Sequence, residues 1–240
     1  GNTTEGIVGF GGDQIAIEST VVRNTLPKAA DGMFGRGMDV THNVKSPTPP
    51  VVTVHGSRFE HNATINLFFA GASATVTGTL MQGGGRGLHV QAQQNLDTFA
   101  TLALDSSVVT ASAPFGVVVY DAEAHVANTL VDATSANEGG DFGDGVNVTS
   151  DVHVASAFLT TSLVSNSIRA GVSNFGSFVS IGDSALRCHG FDMDGEVYDG
   201  RQPSFENRGG NWCGCSGQEV ECKAVSAGLS APPAVGTTPE

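Results

Sequence analysis

The stretch "VANTLV", residues 126–131, decides how this chain is read. Its outer valines are five residues apart, so one straight strand would put them on opposite faces. Between them, Asn128 is a residue type that tolerates a left-handed backbone and hydrogen-bonds it locally. A bend there turns both valines to the same side. The stretch therefore reads as strand, sharp corner, strand.

The same pattern, apolar–x–small–Ser/Thr–x–apolar, returns at 17–22, 54–59, 76–81, 104–109, 159–164 and 181–186. Its corner column is Ser19, Gly56, Gly78, Ser106, Asn128, Thr161 and Asp183. The copies start 37, 22, 28, 22, 33 and 22 residues apart. A minimum of 22 with longer intervals is a repeating turn plus inserted loops. A second unit closes each turn: Gly37-Met-Asp-Val, Gly87-Leu-His-Val, Gly116-Val-Val-Val and Gly145-Val-Asn-Val, with a relative at Gly171 and an exception at Asn66. Each turn thus carries about three short strands. Such a turn cannot bury its own apolar side, whereas stacked copies make one continuous core.

These columns resemble the right-handed parallel β-helix, in particular the repeats of the pectate-lyase-like superfamily. The resemblance covers roughly residues 6–190. It implies an all-β solenoid of about seven rungs, and it implies no single activity, because one fold hosts many. The glycine-rich runs "DGMFGRG" (31–37) and "GGDFGDG" (139–145) then occupy the same corner of different rungs, with Phe34 and Phe142 tucked beneath the loops. A phosphate-binding loop would need a Lys and a following helix, and the sequence has neither at these places.

Composition narrows the function classes. A net charge of −13 with only 11 Lys and Arg disfavours nucleic acid and anionic membrane surfaces as partners. No apolar run reaches the 18 residues of a spanning helix, so membrane insertion is not expected. The first residue is Gly, so the chain reads as a processed or excised product whose targeting signal is not in the sequence.

Cys188, Cys213, Cys215 and Cys222 all lie in the last quarter. Cys213 and Cys215 are too close for an easy mutual bridge, so each is expected to pair with Cys188 or Cys222. Two disulfides imply an oxidising compartment, secreted or at the cell surface. A zinc site is the rival, and the Cys-Gly-Cys spacing is too tight for it.

Chemistry was sought among the acids. Asp31 and Asp144 stand at corners about four rungs apart, roughly 19 Å, beyond the separation of a glycosidase pair. Asp39 sits in the same corner region. Asp141 and Asp144 share a loop and are the candidate catalytic pair. Asp192, Asp194 and Asp199 in "DMDGEVYDG" are the candidate calcium ligands, without the full EF-hand spacing. No other cofactor is expected. His55 falls in an outward column with Glu18 and Thr77, and Trp212 is expected to pack on a disulfide. Loops 23–36, 41–50, 91–100 and 132–144 are where such a scaffold carries function, with a groove expected between the first and last.

The chain divides into a β-helix over 1–190, a cysteine-containing cap over 191–225 and a Pro-rich tail over 226–240 expected to be disordered. The leading expectation is a non-catalytic extracellular scaffold or adhesion module binding polysaccharide or a surface protein through its loops. The alternatives are a polysaccharide lyase or glycoside hydrolase, which a cluster of Asp with Arg or Lys on one rung face would favour, and a filament subunit that self-associates end to end.

Overall fold

At each of the seven corners the backbone turns left-handed: Ser19, Gly56, Gly78, Ser106, Asn128, Thr161 and Asp183 have φ between 47° and 56°. The Ser or Thr that follows explains why the corner is so regular. Thr20, Ser57, Thr79, Ser107, Thr129, Ser162 and Ser184 each donate their hydroxyl to the carbonyl two residues back, at 2.7–3.0 Å. From Ser57 onward the same hydroxyl oxygen accepts the backbone N–H of the equivalent residue one turn earlier, at 3.1–3.5 Å. The series ends where the Ser184 N–H donates to Asn211 Oδ1 at 3.0 Å. One column of hydroxyls therefore satisfies the polar backbone that a sharp corner would otherwise leave unpaired.

In this computed structural model, which describes residues 4–12, 14–215 and 217–236, the corners stack into a parallel β-helix. Each turn runs from a front strand through a side strand to a back strand. Successive front strands are Glu5–Phe10, Arg36–Thr41, the later halves of Arg58–Ala70 and Leu80–Gln91, then Phe115–Tyr120, Asp144–Thr149, Ala170–Phe175 and Phe191–Glu196. The side strands form an 8-stranded parallel sheet from Gln14–Glu18 to Ser204–Asn207: seven lie before residue 190, as expected, and the eighth beyond it. Both sheets pair in parallel throughout, one turn on the next.

The apolar ends of each repeat point inward. Val54 and Phe59, Val76 and Met81, Leu104 and Val109, Val126 and Val131 join one core with Met38, Leu88, Val117, Val146 and Val172 of the front strands. Close stacking explains the glycines of the second unit. A Cβ on Gly87 would lie 2.6 Å from the Gly116 carbonyl oxygen, and one on Gly116 would lie 2.5 Å from that of Gly145. Neither has a positive φ, so these glycines serve approach between turns, whereas Gly32 and Gly35 of "DGMFGRG" do turn left-handed, at 70° and 80°.

The stacking does not stop at residue 190. Phe191–Glu196, Ser204–Asn207 and Trp212–Cys213 form the eighth turn, and Ala224–Val225 starts another on the front. The segment 191–225 is thus a further turn secured by two disulfides, Cys188–Cys215 and Cys213–Cys222. Trp212 does not pack away as expected; it stays 58 % exposed on the back face, in register with Ala185. Residues 226–236 of the Pro-rich tail also depart from the disordered expectation, because side chains of the front face hold their backbone. The remainder of that tail, 237–240, lies outside the described residues.

Candidate functional site

On a front strand, alternate residues face outward. Stacking aligns these into one register column: Val8, Asp39, Phe68, His89, Val118, Asn147, Ser173 and Asp194. From Asp39 to Asp194 every member is buried, although it lies outside the core. Loops from the strand starts and the segment 226–236 cover the column and leave a groove beside it.

The upper part of the groove carries two arginines. Arg36 forms a buried ion pair with Asp39, whose other oxygen accepts the Thr41 hydroxyl at 2.9 Å. Its guanidinium lies 4.1 Å from the centre of the Phe68 ring and 5.3 Å from that of Phe34. Two turns on, Arg86 donates to His89 Nδ1 at 2.7 Å and covers Phe115 at 5.2 Å. Burial, with Arg86 and Arg36 adding to it, holds the His89 pKa well below the usual imidazole range. His89 is therefore neutral, Nδ1 accepts, and the ring proton sits on Nε2, which has no hydrogen-bond partner among the described residues. Burial, and then Arg36, push Arg86 down to about 10, which leaves it a cation at neutral pH. Among the described residues no carboxylate forms an ion pair with Arg86. A cleft of about 240 Å³ remains over the two arginines, walled by Met33, Phe34, Thr64 and Ile65 and, from the segment 226–236, by Val235 and Gly236.

The lower part is acidic. Arg169 grips Asp144 with two nitrogens, Nε to Oδ1 at 2.6 Å and Nη2 to Oδ2, and lies 4.9 Å over Phe142. Ser173 donates to Asp144 at 2.7 Å, Asn147 to Ser173 at 2.9 Å, and Thr149 to Asn147 at 3.0 Å. Asp194 is the register partner of Ser173 on the next turn. Burial raises its pKa to about 6 against the pull of the Ala227 N–H, and Glu196 adds to the rise. Asp194 Oδ2 is buried with no hydrogen-bond partner among the described residues.

The acids named from the sequence separate in space. Asp144 is fully buried against Arg169, whereas Asp141 is exposed on its loop, its N–H held by Asn137 Oδ1 at 2.8 Å. The two share no hydrogen bond among the described residues, and Asp144 makes its contacts with Arg169 and Ser173 instead. Asp192, Asp194 and Asp199 do not converge: Asp199 pairs with Arg201 at 3.4 Å, and no three acidic, His or Cys groups among the described residues gather to hold a metal. His55 does lie between Glu18 and Thr77 on the side face, with Nδ1 2.9 Å from the Thr77 hydroxyl, all of it facing solvent.

Sequence reasoning missed Arg36, Arg86, His89 and Arg169. A signal was present: "GRG" occurs at 35–37 and again at 85–87, each followed two residues later by a polar outward residue, Asp39 or His89. The arginine opens the strand, the glycine permits close stacking, and the polar residue meets the guanidinium on the outer face.

No family model matches the sequence, and no curated protein does. Among solved structures, pectate lyase Pel9A superposes with a TM-score of 0.52 at 11 % identity over 90 % of this chain, which spans 62 % of the lyase. The periplasmic alginate epimerase AlgG gives 0.48 at 11 % identity, over 94 % of this chain and 72 % of the epimerase. The likeness to the lyase is one of fold: the chain is a parallel β-helix repeat protein.

Proposed function

We propose that the front groove binds an acidic polysaccharide, a polyuronate, outside the cell. The observation that carries this is Arg86: a cation with no carboxylate partner among the described residues, beside Arg36, at the floor of a cleft, in a chain of net charge −13. Planar guanidinium groups suit sugar carboxylates, which they bind with two parallel hydrogen bonds. Met33, Phe34 and Ile65 offer apolar surface to the ring carbons. Two disulfides fit an oxidising, extracellular setting, where such polymers occur. The pectate lyase of like fold lends the same direction to the reading.

A catalytic reading is favoured by Asp194. A carboxylate with a pKa near 6 and a free oxygen is suited to take a proton close to neutral pH. Beside the Asp144–Arg169 pair, it would take the proton from the carbon next to a uronate carboxylate; the C–H electrons form the C=C double bond as the glycosidic C–O bond breaks, and the departing oxygen takes a proton from solvent. Arg86 lies four turns away, about 19 Å, and so serves binding rather than that step. A cluster of Asp with Arg on one face is the arrangement that favours the enzyme reading over the scaffold reading.

Calorimetric titration with polygalacturonate, alginate and a neutral glucan tests the binding, and ultraviolet absorbance of unsaturated products tests the chemistry. Arg86→Ala is expected to weaken polyuronate binding by about 10- to 100-fold, the loss of one charge-assisted contact. Equal affinity for the neutral glucan would overturn the reading.

A further inference from the structure

The groove is not empty. Segment 226–236 lies along it, and the side chains that hold it are those of the proposed site. Asp194 Oδ1 accepts the Ala227 N–H at 2.9 Å, and Glu196 Oε1 accepts those of Gly228 and Leu229 at 2.6 and 3.1 Å. Gln91 reads the Val235 backbone twice, accepting its N–H at 3.1 Å and donating to its carbonyl at 2.9 Å. Arg36 donates to the Gly236 carbonyl. Both ends of the groove, Asp194 and Arg36, are therefore occupied by one segment.

The fit is one of length as well as chemistry. Asp194 and Arg36 are six turns apart, about 29 Å at about 4.8 Å per turn. The nine residue steps from Ala227 to Gly236 span about 28–30 Å if extended, at about 3.1–3.3 Å each. Pro232 and Pro233 favour that extended form before any contact is made. The hold is nevertheless slight. Val235 touches the patch of Ile65, Phe68 and Ala70, Ala234 touches that of Phe115, and Pro232 is the one residue of the segment that is buried. A neutral carbonyl on Arg36 is also a weaker partner than a carboxylate.

We propose that residues 226–236 are a releasable strap that excludes the polyuronate, so the site is autoinhibited until the strap lifts. The proposal rests on the groove reading above and adds its regulation. The test compares the full chain, a chain ending at Val225, and the full chain carrying Val235→Gly, which removes the apolar contact of the strap without adding a charge beside the arginines. Polygalacturonate and alginate are titrated into each, and limited proteolysis follows cleavage within 226–236 with and without polymer. The expected result is at least tenfold tighter binding by the shortened chain, an intermediate gain for Val235→Gly, and faster cleavage of the strap when polymer is present. A synthetic peptide of residues 226–240 should weaken binding to the shortened chain. Equal affinity of all three forms, with cleavage indifferent to polymer, would overturn the strap and leave the groove reading standing. Absence of polyuronate binding in every form would overturn both. If the shortened chain does not fold, Val235→Gly and the cleavage rates decide.

Discussion

The Ser162 hydroxyl takes the Thr129 N–H at 3.2 Å while donating to Thr160 of its own turn at 2.8 Å. One small side chain thus joins two turns of the helix. Ser162→Ala leaves a buried N–H and a carbonyl without that partner, and the cost is expected to be about 1–3 kcal/mol. Ser162→Thr keeps the hydroxyl and is expected to cost less. Urea denaturation of both variants checks this, and equal midpoints for the two would contradict it.

Thr161 holds a left-handed φ of 49° although its side chain branches at Cβ. The side chain is exposed. Thr161→Asn, which places there the residue found at Asn128, is expected to raise stability by about 1 kcal/mol by relieving that conformation. A lowered melting temperature would refute it.

Gly116 is closely surrounded, with its notional Cβ 2.5 Å from both the Gly145 oxygen and Val131 Cγ1. Gly116→Ala forces neighbouring turns apart and is expected to cost about 1–3 kcal/mol or more. Denaturant titration monitored by circular dichroism reads the change directly.

Two buried groups act in opposite senses below neutral pH. Burial lowers His189 to about 4, so the unfolded chain takes up a proton first, and stability is lost as pH falls from about 6.5 to about 4. Burial raises Asp194 to about 6, so its contribution is present at low pH and is lost as pH rises from about 4 to about 6. Asp194→Asn is therefore expected to gain melting temperature over the unaltered chain as pH rises from 4 to 7. His189→Gln should gain relative to it as pH falls. Offsets that stay constant with pH would dismiss both assignments.

Removing the bridges loosens the last turn. Cys188–Cys215 closes a loop of 27 residues and Cys213–Cys222 one of 9. Each native bridge is expected to contribute about 2–4 kcal/mol, more for the longer loop. Cys188→Ser/Cys215→Ser should accordingly lower the melting temperature more than Cys213→Ser/Cys222→Ser does; the reverse order would count against the argument.

The fold could be read from the sequence because its signal is columnar. Asn128 alone is ambiguous, but Ser19, Gly56 and Asp183 at the same place in the pattern reinforce it, and the core positions Val54 and Phe59 follow from the bend. The site was harder to read, because its charges come from different turns. Arg169 and Asp144 are 25 residues apart and meet only when two turns stack. Asp144 was assigned to a loop with Asp141, yet it opens a buried strand. The strap was missed for a related reason. Its composition lacks any apolar period of its own, and its order comes from carboxylates and an amide supplied by the finished groove.

The hydroxyl corner has a consequence for how such a molecule changes over generations. Every turn presents the same donor to one neighbour and the same acceptor to the other. A segment of 22 residues, such as the interval from Val54 to Val76, can in principle be deleted or copied and its flanking turns still meet matching partners. Such an edit moves Asp194 relative to Arg36 by one spacing, so the molecule's length is a ruler that genetic duplication can reset. A strap of fixed length would then no longer reach both ends, which ties the number of turns to the residue count of 226–236.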